Sequence, residues 1–204
     1  AFALQKLGRL EEAIADYTKA IELGEPPENQ AQYHFHRAMC WAGLRAEGDE
    51  RKANLERAVA DHARSIELYP DHPGPYHLRA KLLVDELGRY GEALPDLERA
   101  LSMRQIPDLY SLRGLALFHV DRAQDALADF ERFKAMTGDA YADYMLSACH
   151  AKLGRAEHVF SHMAETLAKD PSYLEYFSNE EAFAPYRSDP RFASVTAAAS
   201  QRRG

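Results

Sequence analysis

Apolar positions along the chain recur at steps of four and three between charged ones, the spacing that places side chains on one face of an α-helix. Ala13, Tyr17 and Ala20 form one such stripe, Ala93, Leu97 and Ala100 another, and Ala126, Phe130 and Phe133 a third. Upstream of each stripe lies a second helical pattern. In Tyr110, Gly114 and Leu117 the small Gly114 lets two helices approach closely. Proline or glycine then follows each pair, at Pro26-Pro27, Pro70, Pro107, Gly138 and Pro171, and these residues stop helices. The pattern predicts a series of helix–turn–helix units.

The units are copies of one another. Gly8-Arg9-Leu10-Glu11-Glu12-Ala13 recurs as Gly88-Arg89-Tyr90-Gly91-Glu92-Ala93, and more loosely at Asp121 to Ala126 and at Gly154 to Val159. With a further copy ending at Ala58, the anchors Ala13, Ala58, Ala93, Ala126 and Val159 stand 45, 35, 33 and 33 residues apart. The excess in the first spacing falls partly in the loop Glu25 to Gln30 and mainly in Leu44 to Asn54. There Gly48, Asp49 and Glu50 suit a turn, and longer helices are the alternative. The charged insertion Arg45 to Lys52 is expected to be solvated.

In period and in marker residues the chain resembles the tetratricopeptide repeat family, a helix–turn–helix unit of about 34 residues. The best copy is Asp108 to Asp139, where Tyr110, Gly114 and Leu117 match the first helix and Ala126 with Phe130 the second. The resemblance implies an all-α fold: a right-handed superhelical solenoid of antiparallel helix pairs with a C-terminal helical cap. Repeats are expected over 1–171 (a partial 1–27, an extended 28–72, then 73–106, 107–139 and 140–171), and capping helices and tail over 172–204.

The resemblance also implies a concave groove lined by fixed positions of each first helix. Carried over residue by residue, the fifth positions are Phe35, His77, Ser111 and Met145, and the ninth are Met39, Lys81, Leu115 and Cys149. The twelfth include Phe118 and Lys152. Phe35, Met39, Leu115, Phe118 and Met145 suit an apolar or amphipathic peptide, although helix packing explains Leu115 and Phe118 equally well. Lys81 and Lys152 are the better groove markers, placed to meet acidic side chains of a ligand. The lysine and asparagine clamp with which some family members grip a C-terminal carboxylate is absent, which disfavours chaperone tails as ligands.

The two ends depart from the repeat. Ala1 corresponds to about the eighth position of a first helix, so Phe2, Leu4 and Leu7 are expected on an uncovered apolar side. A chain that continues upstream is the favoured reading, and a homodimer through this end is the alternative. Past Pro171 the sequence predicts short helices: Asn179 followed by two glutamates, and Asp189 followed by Pro190, are both helix starts. Many bacterial members of the family close with an Asp-Pro-Arg-Phe turn docked on the last repeat, which Asp189 to Phe192 match. Ala197 to Gly204 is expected to fray.

Composition narrows the function. A net charge of −7 with no basic stripe argues against nucleic acid as partner. With 46% hydrophobic and 28% charged residues the chain can bury a core. Cys40 and Cys149 read as two buried thiols, and with no membrane-length apolar run and no legible signal peptide they predict a cytoplasmic protein or a fragment of a larger one. His158 and His162 share a helix face, and His34, His36, His72 and His77 surround one repeat junction. Neither set completes a ligand group, so the first two are read as surface histidines and no metal or other cofactor is predicted. Asp96-Leu97-Glu98-Arg99 and Asp129-Phe130-Glu131-Arg132 are read as solvated faces. No nucleophile elbow or phosphate loop appears, so no catalytic residue is assigned. The function expected is a non-enzymatic protein–protein interaction scaffold binding a peptide or protein segment. The alternative is a regulatory or docking domain of a larger multidomain enzyme.

Overall fold

The computed structural model describes residues 1–201, and every regular element among them is helical. Helices α1 (Phe2–Lys6), α2 (Leu10–Glu22), α3 (Pro27–Gly43), α4 (Gly48–Leu68), α5 (Pro73–Lys81) and α6 (Tyr90–Met103) belong to one compact unit that ends at Gln105. A second unit starts at Ile106 with α7 (Pro107–His119), α8 (Ala123–Thr137), α9 (Ala140–Lys152), α10 (Ala156–Lys169), α11 (Leu174–Asn179) and α12 (Pro190–Gln201). In the first unit α3 packs on α4 and α5 on α6; in the second α7 packs on α8 and α9 on α10.

The punctuation residues set these boundaries. Pro27, Pro73, Pro107 and Pro190 occupy first helical positions, where φ is already correct and no N–H is missed. The Gly-Arg motif marks the opposite end. Gly8, Gly88 and Gly154 have φ of +74°, +62° and +70°, a left-handed conformation that glycine adopts without a Cβ penalty. The next residues, Arg9, Arg89 and Arg155, then turn their N–H groups back to the carbonyls of Leu4, Leu83 and His150 at 3.0, 2.7 and 3.0 Å. Asp121, at φ +60°, fills the same place ahead of Arg122. A π-helical turn, Leu82–Glu86, continues α5 and takes up one more residue than α7 has there.

The extended second repeat is longer in its helices. α3 has 17 residues and α4 has 21, and Gly48, Asp49 and Glu50 form the first turn of α4 instead of a loop. Nor is the insertion wholly solvated. Its Arg51 donates to the carbonyls of Ala42 at 2.6 Å and Leu44 at 3.2 Å, closing the α3–α4 connection.

Between the paired helices small residues meet large ones. A Cβ on Gly114 would lie 2.9 Å from Cζ of Phe130, whose ring is fully buried. Beside this contact runs a recurrent ion pair. Arg37 grips Asp61 with 2.8 and 2.7 Å bonds, Arg79 grips Asp96 with two of 2.6 Å, and Arg113 grips Asp129 with 2.7 and 2.6 Å bonds. The reading of Asp96 and Asp129 as solvated is therefore corrected. Both are buried, because each bidentate guanidinium satisfies its carboxylate inside the helix pair, while Glu98, Arg99, Glu131 and Arg132 stay exposed. Burial alone would raise the Asp61 carboxyl, but hydrogen bonds from Arg37 and His34 outweigh it and hold the group below the usual carboxylate range.

At the N-terminal end Phe2 and Leu7 are exposed. Leu4 is not, because it packs against the cluster of Ala13, Ile14, Tyr17 and Cys40. At the C-terminal end Asp189 caps α12, its Oδ1 accepting from the Arg191 N–H at 2.9 Å. The Arg191 side chain and N–H together hold the Asp189 carboxyl at about 2. Arg191 then lies 4.5 Å over the Phe160 ring, and α12 packs on α10. The fraying expected from Ala197 is corrected as far as Gln201, to which α12 runs, and the rest of that expectation, 202–204, lies outside the described residues.

Candidate functional site

A cleft of about 360 Å³ lies in the second unit. From α7 come Leu115 and Phe118, and from α9 Met145, all three predicted from the repeat register. Tyr141 and Tyr144 stand on α9 beside Met145, while Tyr173, Tyr176 and Glu180 reach in from the segment after α10. The repeat register alone does not find these five. The visible signal for the last three was the aromatic density of Tyr173-Leu174-Glu175-Tyr176-Phe177 just past Pro171.

Tyr144 organises the cleft. Its ring centre lies 5.2 Å from Tyr173, 5.5 Å from Phe177 and 5.9 Å from Tyr176, distances at which aromatic pairs attract beyond their buried area. Tyr173 and Tyr176 also pack on each other at 5.5 Å. Burial first, and then a hydrogen bond to the Glu180 carboxylate, push the Tyr144 phenol well above its ordinary range. Tyr144 is 6% exposed and Tyr176 51%, so the former makes the floor and the latter the rim.

Lys152 remains at the surface but is committed. Its ammonium donates to the Phe118 carbonyl at 2.9 Å, pairs with Asp121 at 2.8 Å, and sits 4.4 Å over the Phe118 ring. Cys149 has the register of a groove position yet is wholly buried, and burial pushes its thiol up to about 12. The cause is local: α9 packs against α8, α10 and the 3-10 turn Glu181–Tyr186, and every residue from Ala142 to His150 is enclosed. The Cys149 thiol is thus no part of an open surface. Ser111 is half-buried on α7 and does not line the cleft.

In the first unit the predicted residues fall in two places. Met39 and Lys81 line a cleft of about 320 Å³ with Leu78, Leu82 and Asp85, and Lys81 pairs with Asp85 at 2.7 Å. At its base is His62, 1% exposed, with no hydrogen-bond partner for Nδ1; burial lowers this imidazole to about 3. Phe35 belongs to a smaller cavity of about 160 Å³ with His36, Tyr69 and His72. His77 is half-buried on α5 and lines neither.

The histidines are distributed by packing. His36 and His72 flank the Phe35 ring at 5.3 and 5.6 Å, whereas His34 turns to Asp61 at 2.8 Å. His158 is exposed, but His162 is half-buried and stacks on His150 at 5.5 Å, correcting its reading as a surface residue. His162, Asp143 and Glu165 offer metal-ligand atoms within 4.8 Å of one another. Two ammonium groups already sit there. Lys134 and Lys169 each lie 2.6 Å from an oxygen of Asp143, and Lys134 also pairs with Glu165 at 2.6 Å. Burial raises the Asp143 carboxyl and the two lysines outweigh it, so it stays below its usual range. The arrangement neutralises a buried carboxylate, and a dication there would face two positive charges at contact distance.

Among the described residues no helix is long and apolar enough to cross a membrane. A family model described as tetratricopeptide repeat matches residues 1–23 and 74–106. Human tetratricopeptide repeat protein 13 is 35% identical over 79 residues, which are 39% of this chain and 9% of that relative's length. Among solved structures, that of YrrB, described as a tetratricopeptide repeat protein with an unusual peptide-binding site, superposes with a TM-score of 0.69 at 22% identity, covering 91% of both chains. MamA from Desulfovibrio magneticus RS-1 superposes with a TM-score of 0.62 at 16% identity, over 88% of this chain and 99% of that one. At these identities the superpositions establish the fold alone.

Proposed function

The chain is a tetratricopeptide repeat protein, and from that premise we propose that it is a non-catalytic interaction scaffold whose second unit binds a peptide segment of a partner protein. The observation that carries this reading is the cleft built on Leu115, Phe118 and Met145 and floored by Tyr144. Its rim residue Tyr176 leaves half of a large ring in solvent, and exposed aromatics over a formed cavity are the usual anchors of peptide recognition. The unusual peptide-binding site of YrrB supports the same assignment by analogy of fold. Two enclosed free thiols, Cys40 and Cys149, suit a reducing cytoplasmic setting.

The test is selection of random displayed peptides on the whole chain, with methyl NMR of the methionines as the map. Enriched peptides are expected to move the Met145 methyl resonance and to bind the Tyr176→Ser variant about tenfold more weakly. Enriched peptides that leave Met145 still and bind the variant unchanged would place the binding surface elsewhere. Failure to enrich any peptide on the folded chain would remove the reading altogether.

A further inference from the structure

We infer that the tyrosine cleft of the second unit is a cage for a cationic side chain, so that the peptide it receives presents an ammonium group of a lysine, free or methylated. The inference rests on the peptide-site reading above and names the chemistry of the group that enters. Four tyrosines, Tyr141, Tyr144, Tyr173 and Tyr176, line one cavity, with ring centres of neighbouring pairs 5.2 to 6.4 Å apart and mutually tilted by 31° to 59°. All four rings border one space, and a cation that enters it and meets their negative π-faces gains from several at once.

The charges agree with the rings. Among the described residues that line the cleft, Glu180 is the one carboxylate, and none is a lysine or arginine. His119, the remaining titratable nitrogen of the lining, has its pKa lowered, by burial first and then by Lys152. The nearby positive charges are engaged elsewhere: Lys152 with Asp121 and the Phe118 carbonyl, and Arg187 with the Glu180 backbone carbonyl. Lys152 over Phe118 shows the same attraction within the chain, an ammonium resting on a ring of this cleft at 4.4 Å. A purely apolar ligand would gain nothing from the Glu180 carboxylate, which a cation would pair with, and would meet four phenols in place of aliphatic side chains. Complementarity of charge and of ring faces therefore selects a cation.

The decisive comparison separates charge from shape. A short capped peptide bearing trimethyllysine is titrated into the whole chain alongside the same peptide bearing the uncharged tert-butyl isostere, with the Met145 methyl and the ligand methyl protons observed by NMR. The cationic peptide is expected to bind on the order of tenfold more tightly, with its methyl protons shifted upfield by the rings. Tyr176→Leu and Glu180→Gln, both at exposed positions, are expected to weaken the cationic peptide more than the isostere and so to erase most of that preference. Equal binding of the two peptides would overturn the cage and leave the cleft as an apolar peptide site. Binding of neither, while selected peptides still move Met145, would also overturn the cage without touching the broader reading. If neither these peptides nor selected ones move Met145, both fall together.

Discussion

The pairs α7–α8 and α9–α10 occupy successive repeats of the second unit and fill the same positions with different chemistry. Where α7 has Arg113 and Gly114, α9 has Ser147 and Ala148; where α8 has Asp129 and Phe130, α10 has His162 and Met163. In the first pair a bidentate ion pair lies beside a glycine that receives a rigid ring. In the second, Ser147 donates to the Val159 carbonyl at 2.9 Å, and the buried charge moves to Asp143 between Lys134 and Lys169. Volumes exchange in step: glycine faces phenylalanine, and the larger alanine stands where the flexible methionine follows. What the repeat requires is a satisfied polar group and a complementary volume, and the particular residues are free to change together.

The largest effect should come from breaking the ion pair on one side of this comparison. Asp129→Ala takes the bidentate carboxylate away from the partly buried Arg113 guanidinium and is expected to cost about 2–4 kcal/mol. Ser147→Ala at the matching place on α9 removes one neutral hydrogen bond and should cost about 1 kcal/mol. Urea unfolding of both variants checks the ratio; equal losses would show that the two polar centres are not different in kind. Next in size is the steric contact. Gly114→Ala drives a methyl into the Phe130 ring at 2.9 Å and is expected to cost about 1–3 kcal/mol, and Gly114→Leu at least as much. Phe130→Leu in the same chain should recover part of it, so a double-mutant cycle with strictly additive losses would break the volume argument.

The sequence carried the parts of this structure that depend on neighbours within one turn. Left-handed glycines before Arg9, Arg89 and Arg155, first-turn prolines and the stripes of four and three placed the helices, and Gly114 marked its own close approach. The buried Arg–Asp pairs escaped because their partners lie 16 to 24 residues apart on facing helices. Next to Glu98 and Arg99, or Glu131 and Arg132, the aspartates looked like members of a solvated run. The clue was the register: Arg37, Arg79 and Arg113 recur in phase with Asp61, Asp96 and Asp129. The cleft divides in the same way. Leu115, Phe118 and Met145 follow from repeat position, whereas Tyr173, Tyr176 and Glu180 come from a cap that has no repeat to copy. Cys149 shows the limit of register, since the same numbered position is open or closed according to what covers the helix.

A smaller effect, read against pH, separates the two pairs again. His150 on α9 is buried between His158 and His162, with ring centres 4.5 and 5.5 Å away, and its Nδ1 has no hydrogen-bond partner. Burial, then the charges of His158, His162 and Arg155, lower it to about 4. In the unfolded chain a histidine titrates near 6.5, so between about pH 6.5 and 4 the unfolded state binds the extra proton. Stability from the neutral imidazole is complete above pH 6.5 and is lost as pH falls toward 4, at no more than about 1.4 kcal/mol per pH unit. Urea unfolding of the wild type and His150→Leu at pH 7, 6 and 5 tests this. The variant's stability should fall less steeply across the window by up to that amount. Parallel slopes would mean that His150 takes up its proton equally in the folded and unfolded chains, and burial beside His158 and His162 would then not hold it neutral.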